Sequence, residues 1–203
     1  MLNIYGSPRS SSGRCFWALE EVGAPYEPKT ISFEKGEHKS PEFLKINPNG
    51  KVPALIDGDT TIWESMAINF YLANNYKPEL TGTTPSEKGL VQQWSFWALG
   101  ELQPPIIEIF IQMVFVPEDK RDPKVIEKAK AKIPPLLEIL NNALENKDYL
   151  AGNEFTLADL NTLSVASICP KIGVELTPFT NITSWLKRIG ERPAYKRYLE
   201  LCR

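Results

Sequence analysis

The sequence predicts an α/β domain over residues 1–77, a linker over 78–85 and an all-α domain over 86–203. Three observations predict this division. Short β-branched and aromatic runs bounded by turn formers, the pattern of strands, lie ahead of residue 64. The stretch from Lys77 to Pro85 is polar and carries two prolines and one glycine, a composition suited to an interdomain connection. Beyond it the apolar residues recur at helical spacing, and no strand follows.

Within the first domain Leu2–Tyr5 reads as a strand ended by Gly6-Ser7-Pro8. Arg9 to Gly13 is a polar loop holding three serines. From Arg14 the spacing of Cys15, Phe16, Ala18, Leu19 and Val22 is helical, with Gly23 as the stop. Tyr26 to Phe33 is a second strand candidate. Ser40-Pro41-Glu42 is an N-cap followed by proline at the first helical position, opening a short helix through Ile46. Asn47-Pro48-Asn49-Gly50 is a cluster of turn formers. Val52 to Ile56 and Thr60 to Trp63 then make a hairpin about Asp57-Gly58-Asp59, and Ser65 starts a helix to about Tyr76. The order β-α-β-α-β-β-α is the thioredoxin-like layout.

In the second domain Thr84-Pro85-Ser86-Glu87 is a capping box ahead of a long helix with Leu90, Trp94, Trp97 and Leu102. Pro104-Pro105 is expected to kink or break it, and Pro134-Pro135 to interrupt the helix that begins at Asp122-Pro123. Thr156 and Asp159 form a second capping box, with Phe155 and Leu160 as a hydrophobic staple. Asn181–Gly190 and Pro193–Cys202 read as two last helices.

The 203 residues carry 23 basic and 25 acidic side chains, net −2, with no basic block. Nucleic acid and anionic membrane surfaces therefore lack an electrostatic footprint. No apolar run approaches the roughly 18 residues that span a bilayer, and no basic segment with an apolar run opens the chain. Three widely spaced cysteines, with no CxxC pair, do not suggest a disulfide framework. A cytosolic protein with no bound metal is expected.

The segments GEHKSPEF (Gly36 to Phe43), NP-x-GKVPAL-x-DGD (Asn47 to Asp59) and Glu64-Ser65, with YLAGNEFTLADL (Tyr149 to Leu160), resemble the glutathione transferase superfamily. The resemblance is to its serine-type members, closest to the phi and theta classes. It implies a thioredoxin-like glutathione-binding domain and a helical domain contributing the site for a small hydrophobic electrophile. It also implies a homodimer, and glutathione as co-substrate.

By that resemblance Ser10, four residues ahead of Arg14, donates to the glutathione thiolate. Ser11 or Ser12 takes this role if the loop is shifted. A serine at a helix N-terminus suits this task, because the dipole and a charge-assisted hydrogen bond both favour an anion. Serine cannot form a disulfide, which disfavours thiol exchange. His38, Lys39 and Lys51 are implied near the glycyl end, the Val52 backbone ahead of a cis Pro53 along the cysteinyl unit, and Glu64 and Ser65 at the γ-glutamyl end. Without the resemblance the serines read as helix caps, and His38 as a solvated loop residue. Trp94, Trp97, Phe110 and Phe115 are candidates for the electrophile pocket, against a bland reading as core aromatics. Peroxide reduction or dehalogenation at the same site, and a non-catalytic transferase-like binding module, are the rival readings.

Overall fold

Alternation in Leu2–Tyr5 buries Leu2 and Ile4, and this run forms strand β1 in the computed structural model, which describes residues 1–203. Around it are α1 (Gly13–Val22), β2 (Tyr26–Lys29), α2 (Pro41–Ile46), β3 (Ala54–Asp57), β4 (Thr60–Trp63) and α3 (Ser65–Tyr76). The four strands make one mixed sheet in the order β2-β1-β3-β4, with β2 parallel to β1 and β3 antiparallel to both neighbours. This is the expected thioredoxin-like arrangement. β2 stops at Lys29, short of the expected Phe33, because β1 offers no partner beyond Tyr5.

The chain divides into two compact units, residues 1–81 with 190–203, and residues 82–189. The last helix, α9 (Pro193–Leu201), thus packs within the first unit, whereas its periodicity had grouped it with the all-α domain. The reason lies on α1. Glu21, with 2% of its side chain exposed, accepts from the Trp17 indole at 3.1 Å. It also accepts from Arg192 Nε and Nη2 at 2.9 and 2.8 Å. Glu20 is bound by Arg197 Nε at 2.7 Å, and Trp17 packs against the Tyr195 and Tyr198 rings. A buried carboxylate needs such partners, since an unpaired one is costly.

The second unit is helical. α4 (Pro85–Trp97) opens with the expected capping box, Thr84 accepting from the Glu87 amide and Glu87 from the Thr84 amide. Ahead of Pro104-Pro105 the chain widens into a π-turn, Ala98–Leu102, with Gln103 N–H bonded to the Ala98 carbonyl. The prolines then fall in the first turn of α5 (Gln103–Val114), where the missing N–H groups cost little. Helix α6 (Pro123–Ala143) runs through Pro134-Pro135 without a break, against expectation. Its buried stripe of Ala129, Ile133, Leu137 and Leu140, packed beside α5, holds the helix together. The rungs lost at the prolines would have used the carbonyls of Lys130 and Ala131, which lie outside that stripe.

The second box holds α7 (Leu157–Ala166). Asp159 is fully buried and accepts from the amides of Leu150 and Thr156, both at 3.0 Å, and from the Trp185 indole at 2.9 Å. Burial pushes its carboxyl up to about 6, against the pull of these hydrogen bonds. The staple residues Phe155 and Leu160 are both buried. Helix α8 (Thr180–Gly190) has its first turn bound by Asn141, whose Oδ1 accepts from Asn181 N–H at 3.0 Å. No helix is long and apolar enough to cross a membrane.

Candidate active site

Strand register brings the sequence-predicted residues of the first unit to one end of the sheet. Tyr5 lies opposite Ala54, and Ala54 opposite Trp63. The serine loop after β1, the Lys51–Pro53 segment before β3 and the Glu64–Ser65 pair after β4 must therefore meet there. Lys29 pairs with Tyr5 on the other side, so the segment leading to His38 starts from the same end.

In the serine loop Ser10 N–H and Oγ both bond to the Ser7 carbonyl, at 3.0 and 2.8 Å. Ser10 Oγ also accepts from Ser12 N–H at 3.1 Å and lies 3.0 Å from Ser12 Oγ. Ser10 is half-buried and Ser11 exposed. The Ser11 hydroxyl donates to the Val52 carbonyl at 3.1 Å. Ser12 is fully buried and offers no surface to a ligand. Its hydroxyl fills the space where a side chain on Gly6 would overlap it, and Gly6 has a φ of +139°. Cys15 lies one turn along α1, donating to the Ser65 carbonyl at 3.4 Å. Burial pushes its thiol up to about 12, so it stays protonated and inert.

The Val52–Pro53 bond is cis. The preceding turn is held by Asn47, buried, whose Nδ2 donates to the Lys51 carbonyl at 2.6 Å and whose Oδ1 accepts from Asn49 N–H at 3.0 Å. Gly50 has a φ of +60°, and a Cβ there would come within 2.7 Å of Lys39 Nζ and 2.8 Å of the His38 carbonyl. Glycine is needed at that position for both reasons. Lys39 is tied to the same turn, donating to the Asn49 carbonyl at 3.2 Å. The His38 ring sits 4.8 Å from that of Phe33, and its Nδ1 is buried without a hydrogen-bond partner. Asn47 was not singled out from the sequence beyond its turn propensity; only the fold brings its amide to the Lys51 carbonyl.

Glu64 has φ +73° and ψ 116°, a conformation that a non-glycine residue adopts at a cost of roughly 1–3 kcal/mol. Such strain gathers at functional sites, and here it falls on the residue that opens α3. The side chains of Lys51, Glu64 and Ser65 hydrogen-bond to no other part of the chain. One end of the sheet thus carries a cation, a carboxylate, hydroxyls and two helix N-termini. Such a set fits a short zwitterionic peptide.

The aromatic candidates of the second unit are less uniform. Trp94 is buried and edge-on to Trp97 at 5.1 Å, which makes it part of the core. Phe110 is half-buried and 6.2 Å from Phe115, which is 72% exposed. No three His, Cys, Asp or Glu side chains gather where they could hold a metal ion.

Residues 1–74 match the family described as glutathione S-transferase, N-terminal domain, and residues 102–193 match glutathione S-transferase, C-terminal domain. The chain belongs to the glutathione S-transferase family, and within it is phi-like. Glutathione S-transferase F10 of Arabidopsis thaliana is 34% identical over 204 residues, covering 97% of this chain and 95% of the relative. Glutathione S-transferase 1 of Zea mays is 36% identical over 208 residues, covering 98% and 96%. The solved structure of glutathione S-transferase-I bound with lactoylglutathione superposes with a TM-score of 0.89 at 34% identity, covering 98% of this chain and 99% of that one.

Proposed function

We propose that the chain conjugates the thiolate of glutathione to small hydrophobic electrophiles. The observation that carries the reading is the convergence at one sheet end of the serine loop, the Val52 backbone and the unpartnered Lys51, Glu64 and Ser65. Glutathione would lie across these groups. Its cysteinyl unit would pair with the Val52 backbone beside cis Pro53, and its γ-glutamyl end would meet Glu64 and Ser65. Its glycyl end would meet Lys51, with His38 and Lys39 alongside.

The sulfur would then face the serine loop. Ser10 is the proposed donor, and would turn its hydroxyl from the Ser7 carbonyl to the sulfur. Ser11 is the alternative, turning from the Val52 carbonyl. The thiol of glutathione, ordinarily at about 8.5, would be lowered by this hydrogen bond and by the start of α1. The thiolate would attack the electrophile's carbon and displace its leaving group. Of the aromatic candidates, Trp97, Phe110 and Phe115 have surface to offer the electrophile, and Trp94 packs against Trp97 from the core.

The assembly proposed is a homodimer. Trp63 in the first unit is 40% exposed and Phe96 in the second 62%, and each would be removed from water by contact with a two-fold partner. A detoxifying role in the cytosol fits the reading.

Retention on immobilised glutathione, followed by assays with an aryl halide, an organic hydroperoxide and a mixed disulfide, tests the proposal. Retention with aryl halide turnover supports it. Hydroperoxide turnover alone would reassign the reaction, and retention with no turnover would leave a binding module.

A further inference from the structure

We infer that the last helix positions the serine loop: Arg9, Tyr198 and Cys202 form a clasp that fixes the Pro8 peptide and, through it, the hydroxyl presented to the ligand's sulfur. This rests on the function proposed above. Ser7 to Ser10 is a turn closed by Ser10 N–H on the Ser7 carbonyl, with Pro8 and Arg9 at its middle positions. The common turn types differ in the orientation of the peptide between those two residues. The clasp holds that peptide. The Pro8 carbonyl accepts from Tyr198 Oη at 3.5 Å and from Cys202 Sγ at 3.6 Å. In the opposite sense Arg9 Nε donates to the Cys202 carbonyl at 2.7 Å. The last carbonyls of a helix lack intrahelical partners, and a cation there is favoured by the dipole.

Gly13 completes the arrangement. A Cβ at that position would come within 2.5 Å of the Pro8 carbonyl oxygen and 2.7 Å of Tyr198 Oη, so the first residue of α1 leaves room for both. The Tyr198 phenol, which burial raises further above its ordinary range, is a hydroxyl donor at neutral pH.

The hydrogen bonds of the clasp are not what docks α9. The Glu21–Arg192 and Glu20–Arg197 pairs and the packing of Trp17 against the Tyr195 and Tyr198 rings do that, nearer the start of the helix. Losing the exposed Arg9 would therefore act on the loop and leave the helix in place. Arg9 and Tyr198 are positioning residues, working through Ser10 or Ser11.

Arg9→Ala, Arg9→Lys and Tyr198→Phe would be made alone and in combination with Ser10→Ala and with Ser11→Ala. Each would be measured for glutathione affinity, for thermal melting and for thiolate absorbance of the glutathione complex against pH. Arg9→Ala should shift the bound thiol's titration alkaline and lower conjugation at pH 6.5 by about three- to ten-fold. Affinity should stay within about two-fold and melting nearly unchanged, as for an exposed side chain. Arg9→Lys should recover part of the shift, and Tyr198→Phe should show a smaller one. In the background of whichever serine variant itself moves the titration, Arg9→Ala should add nothing. A shift that persists there, or an Arg9→Ala titration that stays put while a serine variant moves it, overturns the clasp and leaves the functional reading intact. A large loss of affinity on Arg9→Ala would make Arg9 a direct contact, which also overturns it. Absence of glutathione binding in the parent protein would remove both.

Discussion

The hydroxyl of Ser11 donates to the carbonyl oxygen of Val52 at 3.1 Å, joining two segments 41 residues apart at one end of the sheet. Ser10, one residue earlier, is bound to the Ser7 carbonyl and to Ser12. The two serines therefore face different tasks. Ser10→Ala should raise the bound thiol's pKa and reduce conjugation at pH 6.5 by about ten-fold for each unit lost, with affinity within a few-fold. The sign follows from the thiolate being the nucleophile: a higher pKa moves the rate profile alkaline. Ser11→Ala should do much less. An alkaline shift that follows Ser11 would transfer the donor role to the hydroxyl at Val52. Ser12→Ala, at a buried position against Gly6, should change melting temperature and leave the titration alone.

Lys51 and Ser65 have no competing side-chain partner in the chain and would face the ligand in its proposed place. Lys51→Ala and Ser65→Ala should each weaken glutathione binding by roughly 1–3 kcal/mol, the usual loss for one partner of a charged group. Calorimetric titration of both variants checks this, and parent-like affinity in both would displace the peptide from its proposed place.

Asp159 links stability to pH. Its carboxyl is raised by burial to about 6 in the folded chain, against about 3.9 in an unfolded one. A raised carboxyl binds its proton more tightly when folded, so its contribution is complete below about pH 4 and is lost as pH rises past about 6. The difference is on the order of 3 kcal/mol. Denaturant midpoints from pH 4 to 7 for the parent and Asp159→Asn check this, because the variant should lack that part of the slope. Asp159→Asn should also be destabilised throughout, by roughly 2–4 kcal/mol. An amide cannot accept all the hydrogen bonds that the carboxylate takes from Leu150, Thr156 and Trp185.

Arg192 neutralises Glu21 at a position with almost no solvent. Arg192→Ala should cost roughly 3 kcal/mol, the penalty for leaving a buried charge with one partner removed. A double substitution, Arg192→Leu with Glu21→Leu, should recover much of it. Chemical denaturation of the two variants decides between a buried charge and simple loss of packing.

The proposed homodimer predicts a light-scattering mass near twice the chain's 22.9 kDa at micromolar concentration. Trp63→Glu combined with Phe96→Glu should drive it toward the single-chain mass by placing charge in an apolar interface. A parent protein that runs at 22.9 kDa ends this part of the reading.

Most of the first unit was legible because its signals are local. Turn formers at Asn47–Gly50, the Asp-Gly hairpin, the proline after Ser40 and Gly23 at the helix stop each act within a few residues. The three segments of the candidate site came from the resemblance, since their local signals alone read as helix caps, a turn and an ordinary helix start. What was not legible depends on distant partners. Nothing near Pro193 announces that its helix will pair with Trp17 and Glu21. Pro134-Pro135 reads as a break because local sequence does not reveal how much the Ile133–Leu137–Leu140 stripe buries. The π-turn before Pro104 is likewise a tertiary solution to a local conflict. Ser10 and Ser11 differ only in which carbonyl each can reach, and composition says nothing of that.

The first unit is assembled from two stretches far apart along the chain, and this has a consequence for its birth on the ribosome. Trp17 and Glu21 leave the exit tunnel early, but the arginine that matches Glu21 comes 171 residues later. At translation rates of roughly 5–20 residues per second, that is a wait of about 10–30 s. Through that interval the nascent sheet must hold a large indole and a carboxylate without their final cover. Until α9 arrives, this side of α1 stays uncovered.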